Sequence, residues 1–216
     1  HPGLYRYQSP DAVQAQFASA REQVADGSTR GEMALIASRI AAAVRCGHTR
    51  SGPYNHREDI AGMFAALSVL PLEVRWFGDR VLVTESADAS VPRHAELLAI
   101  DGRTPGELVA ALMPYLRADG GNDAKRRDQL DSGPDGGVLD RLLPLLFPPA
   151  DGHYALRLRV DGRTRDVRVR AITPAARDEA LKAAGVAAPS QAWSMRIDGD
   201  VAVMTLPTFA FWNNPF

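Results

Sequence analysis

Cysteine is almost missing from this chain: Cys46 is the only one in 216 residues. It cannot close an internal disulfide, which excludes a disulfide-built secreted scaffold and fits either a reducing cytoplasm or a bacterial periplasm. A surplus of one charge is missing too. Lys plus Arg is 25 against 26 for Asp plus Glu, a formal net charge of −1, so no broad field attracts nucleic acid or an anionic membrane. Any partner has to be recognised locally. Long apolar runs are also lacking. The greasiest stretch, 142–147, is interrupted by Pro144 and closed by Pro148 and Pro149, far short of the ~20 residues that span a bilayer. What remains, 45% hydrophobic and 24% charged, is the composition of a globular protein with a real core, in one large domain or two small ones. The first residue is His1 and not Met, which leads to the expectation that an upstream segment has been removed.

The first seventy residues read as helices. Ser9-Pro10 is a helix start, because the hydroxyl caps orphan amides and Pro is tolerated in the first turn; Val13, Phe17, Ala20 and Val24 follow at helical spacing and Asp26-Gly27 ends the run. Thr29-Arg30-Gly31-Glu32 has the form of a capping box, behind which Met33, Ile36, Ala37, Ile40 and Val44 lay an apolar stripe. A third helix is expected over 59–69, with Ile60, Met63, Phe64 and Leu67 on one face and Leu70-Pro71 as its stop. Tyr5, Tyr7 and Phe17 are expected in the core of this helical region.

After Pro71 the apolar period changes from 3.6 to 2: Leu72, Val74 and Trp76 alternate with Glu73, Arg75 and Phe77. Gly78-Asp79 then predicts a hairpin into the strand at 81–84, and a further strand, 96–100, leads through Asp101-Gly102 to a second capping box, Thr104-Pro105-Gly106-Glu107. Segment 117–152 reads as an insertion, polar first and helical from Val138. Strands around Tyr154 and Val167 are joined by Asp161-Gly162, a helix is expected from Pro174, and a last hairpin turns at Gly199. The aromatic run Phe209, Phe211 and Trp212 is expected to lack cover and to mark the beginning of a further domain.

Chemistry is harder to place. Ser51, Ser90, Ser132, Ser190 and Ser194 lack the Gly-x-Ser-x-Gly frame of an exposed nucleophile. Cys46, His48 and His56 match no zinc-ligand spacing, so Cys46 reads as a small packing residue and His48 as a partner for backbone groups at the helix end. No metal or cofactor is implied. Lys125-Arg126-Arg127, beside Asp119, Asp123 and Asp128, reads as a solvated helix face, and Arg157, Arg159, Arg168 and Arg170 as the outer face of a hairpin where they discourage edge-to-edge aggregation.

Several stretches resemble one family in order. His1-Pro2-Gly3-Leu4-Tyr5-Arg6-Tyr7 resembles an opening of secreted bacterial C-terminal-processing (tail-specific) and tricorn-core peptidases; Arg45-Cys46-Gly47-His48-Thr49 is similar to the Asp-x-His-Thr/Ser stretch closing their helical region, without the usual Asp. Glu96-Leu97-Leu98-Ala99-Ile100-Asp101-Gly102 and the following helix resemble their PDZ-type segment, and the run from Val201 to Phe209 resembles the first strand of their protease core. The resemblance implies an α+β chain: a helical domain at 1–70, a PDZ-like domain at 71–175 carrying the insertion 117–152, and a linker with the start of the catalytic core at 176–216. It also implies that the nucleophile, with its Lys base or His relay, lies downstream, that no residue here is catalytic, and that the setting is periplasmic or secreted. The expected partners are unfolded or C-terminal peptide segments and a downstream catalytic domain of the same chain. The peptide would add as a strand between the helix 105–116 and the strand beginning near Arg80, with Phe77, Gly78, Val81, Leu108 and Leu112 as the binding residues. Trp76-Phe77-Gly78-Asp79 stands where the carboxylate loop is expected, with one glycine in place of two. The alternative is a non-enzymatic peptide-binding or scaffold module that shares the helical and PDZ-like parts.

Overall fold

A computed structural model describes residues 3–52, 58–132, 137–186 and 193–206. His56, Ser190, Phe209, Phe211 and Trp212 lie outside them, so the expectations resting on those residues do too. The chain is α+β: three helices, α1 Pro10–Gln23, α2 Arg30–Ala43 and α3 Glu58–Ala65, precede an antiparallel sheet of β1 Leu72–Phe77, β2 Arg80–Ser86, β3 Glu96–Ile100, β4 His153–Val160 and β5 Arg163–Arg170, paired in that order. Between β3 and β4 come α4 Pro105–Leu112, a 3-10 turn at Met113–Tyr115, α5 Asp123–Asp128 and α6 Val138–Leu146. After β5 follow α7 Pro174–Ala183 and a separate hairpin, β6 Ser194–Asp198 and β7 Val201–Thr205.

Local signals set most boundaries. Ser9 accepts from the Ala12 amide, and at both Thr29 and Thr104 the hydroxyl takes the amide of the Glu three residues on while that Glu returns a carboxylate to the Thr backbone. Both capping glutamates titrate below their usual range because they hold these bonds. At Asp161-Gly162 both residues have positive φ, 49° and 75°, which is the two-residue turn whose twist matches the flanking strands.

One face of the sheet carries Leu72, Val74, Val81, Val83, Leu97, Tyr154, Leu156 and Leu158 into a continuous core that α4 closes with Leu108 and Leu112 and α6 with Leu139, Leu142 and Leu143. The segment expected as an insertion, 117–152, is therefore part of the core, and it also supplies Leu130. The sheet's edges differ. On the outer edge of β1 the Val74 amide donates to Ser132 Oγ at 2.7 Å, the Ser132 amide returns to the Val74 carbonyl, and the Trp76 amide donates to Asp131 Oδ1 at 2.8 Å. β5 pairs only with β4 among the described residues.

Three expectations are corrected. α3 stops at Ala65, because Val69 exchanges backbone hydrogen bonds with Ile172 (2.8 and 3.1 Å), and a strand partner holds the segment that was expected to extend the helix. The expected stripe of α2 is kept only in part: Val44 is buried and Ile36 and Ile40 are half-buried, but Met33 and Ala37 are exposed and Ala42 is buried instead. At Gly31 a Cβ would stand 2.9 Å from Leu145 of α6, so the two helices approach through α2's smallest residues rather than its largest. Tyr5, Tyr7 and Phe17 are exposed rather than core, and Arg6 sits over the Tyr7 ring.

The most demanding contact joins α7 to everything else. Arg177 is fully buried and grips Asp140 of α6 with two bonds, 2.9 and 2.7 Å, while Nη1 also donates to the Leu72 carbonyl at 3.1 Å. Glu73 lies in the same field; burial raises its pKa against the pull of Arg177. Removing one member of such a pair strands the other, so Arg177→Ala is expected to cost about 3–5 kcal/mol in urea unfolding, and the paired change Arg177→Met with Asp140→Leu clearly less. Glu73 keeps its proton more tightly folded than unfolded, so stability falls as pH rises from its ordinary 4.5 through the raised value. Glu73→Gln should remove that fall, read as a flatter urea midpoint between about pH 4.5 and 7.

Candidate functional site

The expected peptide-binding residues are not gathered on an open groove. Val81, Leu108 and Leu112 are 1%, 1% and 0% exposed and belong to the core, whereas Phe77 and Gly78 are exposed at the tip of the β1–β2 hairpin. Nor is β2 open to an added strand. Its one edge pairs with β1 along its length, and its other carries the Val81↔Leu97 and Leu82↔Glu96 pairs and the Val83 bonds to the 94–95 backbone. Leu108 and Leu112 of α4 are buried in the same core as Val81, and that burial is invisible to a reading of strand and helix order.

The Arg45–Thr49 stretch has a better-defined setting. Arg45 has φ +54° and turns the chain out of α2, so that the Gly47 amide donates to Asp119 Oδ1 at 2.8 Å, Arg117 Nη1 donates to the Gly47 carbonyl, and the Gly120 amide donates to the Arg45 carbonyl at 3.0 Å. A Cβ on Gly47 would stand 2.9 Å from Asp119 Oδ2, so glycine is what lets the loop close on that carboxylate. Cys46 is half-buried, and its thiol titrates below the usual range because the His48 amide and the Thr49 side chain bond its sulfur. Among the described residues no three His, Cys, Asp or Glu side chains come together to hold a metal ion.

Beside this loop lies a cleft of about 390 Å³ between α2 and α6, floored by Tyr115, Arg117 and Gln129 and bordered by Arg50, Ser51 and Gly52. Gln129 is fixed by donating to the Arg117 carbonyl at 2.6 Å. Asp131 lines the cleft with one oxygen on the Trp76 amide and the other 3.3 Å from Arg75; burial raises its pKa against those two donors. This place is not legible in the sequence because its residues come from six separate stretches. The small residues of α2 were the one legible signal: Ala34, Ser38 and Ala41 leave the volume that larger side chains would fill.

Three of the serines are placed outside the cleft, which Ser51 borders. Ser90 donates to Asp88 at 2.6 Å, Ser132 caps the β1 edge, and Ser194 begins β6. On α5, Lys125 and Arg126 pair with Asp128 and Asp123 at 2.7 Å, but the Arg126 side chain is only 14% exposed, so that helix face is not wholly solvated. In the β6–β7 hairpin, Met195 stands opposite Met204 and Ile197 opposite Ala202, which puts these four on one face, while Val201 and Val203 share the other with Asp198 and Arg196; Met195, Ile197 and Met204 are 60%, 67% and 59% exposed.

No protein-family model matches the chain, and none of the curated proteins matches it. Among the described residues no helix is long and apolar enough to cross a membrane.

Gly47→Ala is expected to push Asp119 off the loop, lowering stability by about 1–2 kcal/mol and speeding hydrogen exchange at the Gly120 amide more than in the sheet.

Proposed function

We propose that this chain is the amino-terminal, substrate-handling part of a periplasmic or secreted serine endopeptidase of the C-terminal-processing family, with the nucleophile in a catalytic domain downstream. The observation that carries this reading is the β6–β7 hairpin: a pair of strands whose face of Met195, Ile197, Ala202 and Met204 is left to solvent, with Val201 exposed on the other side. Two strands alone are marginal in water, and such a face is completed by further strands or helices. The run that resembles the family's first core strand begins in β7 itself. A PDZ-like reading of the sheet draws support from β3 ending at Ile100, the Asp101-Gly102 turn and the capped α4 that follows. The role left to this part is to position substrate or to gate its approach.

A second reading, a binding or scaffold module without protease activity, is favoured by a different observation: β1–β5 with α4 and α6 bury a continuous core that borrows nothing from the hairpin. Hydrolysis separates the two. The purified 216-residue chain is expected to leave an unstructured protein intact, while the chain extended through its downstream region is expected to cleave it and to stop when a serine-reactive inhibitor is added. Inhibitor-sensitive cleavage by the 216-residue chain overturns the placement of catalysis downstream, and an inert extended protein favours the module.

A further inference from the structure

We infer that a second cavity, between α1, α2 and the 3-10 turn, binds a phosphate monoester carried on a small hydroxylated body. The inference does not depend on the peptidase reading, because it follows from what lines the cavity. Its volume of about 310 Å³ is that of a small-ligand site. Among the described residues the lining has three guanidinium groups and no carboxylate: Arg39 on α2, Arg45 where the chain leaves α2, and Arg126 on α5. The side chains of Arg39 and Arg45 make no hydrogen bond or ion pair among the described residues. Arg126 is only 14% exposed, yet its one acceptor is Asp123 Oδ1 at 2.7 Å, on a carboxylate that is itself 61% exposed, and its buried Nε donates to nothing among the described residues. A guanidinium withdrawn from water needs acceptors in water's place. Around this cavity cations are in excess and acceptors are few, a shortage that a bound anion relieves.

The wall from α1 is of the opposite kind. Gln8 Nε2 donates to the Ala43 carbonyl at 2.9 Å, so Gln8 Oε1 takes the bond from Gln16 Nε2 at 2.7 Å, and the Gln16 carbonyl oxygen is the end left over. Gln23 Nε2 is spent on the Ser19 carbonyl at 3.0 Å, which leaves its Oε1 as well. Each amide is thus oriented by a backbone carbonyl, directly or through Gln8, and both Oε1 atoms are without a donor among the described residues. Carbonyl oxygens repel an anion and accept from hydroxyls. Charge therefore belongs by α2 and α5, and hydroxyl groups by α1. A phosphate monoester carries close to two charges at neutral pH and offers three oxygens to guanidinium forks, where a carboxylate offers one charge and two oxygens. Ile36, Ile40 and Met113 supply apolar surface for the C–H faces of the organic part, which bare phosphate would leave unused.

The test is calorimetric titration of the 216-residue chain at about 0.1 M salt, where attraction between exposed charges reaches only about 10 Å. The probes are two phosphate monoesters, glucose 6-phosphate and glycerol 3-phosphate, with glucuronate and inorganic phosphate as references. At least one monoester is expected to bind roughly tenfold more tightly than either reference, and whichever does so fixes the size of the body. Arg39→Gln and Arg45→Gln, both at exposed positions, are each expected to weaken that monoester by roughly tenfold, while Arg163→Gln on β5, outside the cavity, leaves it unchanged. No binding of either monoester, equal affinity for a reference, binding unchanged in both cavity variants, or an equal loss in Arg163→Gln overturns the inference. Hydrolysis plays no part in the readout, so failure here and failure of the peptidase reading are separate results.

Discussion

The guanidinium of Arg177 organises more of this molecule than any apolar residue does. Taking it out of water costs several kcal/mol, and only a full set of acceptors offsets that. Asp140 supplies a bidentate pair and Leu72 a carbonyl, from elements far from Arg177 along the chain. None of these groups is satisfied unless α6, α7 and the start of β1 are all in place together. The pair is thus less a source of net stability than a condition on the arrangement: other packings of the same apolar faces would leave a buried charge alone.

A second constraint acts at the junction between the helices and the sheet layer. Here the backbone itself does the joining, through Gly47 on Asp119 and Gly120 on Arg45, and the helix that enters the junction carries alanine, serine and glycine where bulk might be expected. Small residues let α2 come close to α6 at Gly31, yet they leave unfilled space further along, at Ala34, Ser38 and Ala41. Close approach at one end and a cleft at the other are two results of one composition.

What was legible in the sequence follows the range over which each signal acts. Ser9, Thr29 and Thr104 bond amides three residues away, and Asp161-Gly162 needs only its own two dihedral angles, so these features are written locally and came out where the residue pattern put them. The end of α3 was not, since Val69 answers to Ile172 across the fold. Arg177, the single arginine of α7, carries no local signal of its role. The expected groove failed for a related reason. Alternation shows which face of β2 is apolar, but not that Leu108 and Leu112 join Val81 in one core, nor that β3 takes the edge a peptide would need. The cleft escaped notice because charge and apolarity meet there only after six stretches are folded together.

The unequal edges of the main sheet have a bearing on how copies of this chain behave in company. One rim is sealed by Asp131 and Ser132; the other, β5, has no strand beyond it among the described residues. Along it stand Arg163, Arg165, Arg168 and Arg170, so two such rims meeting face rows of like charge. That barrier is electrostatic and of short reach, about 10 Å at 0.1 M salt, so added salt weakens it.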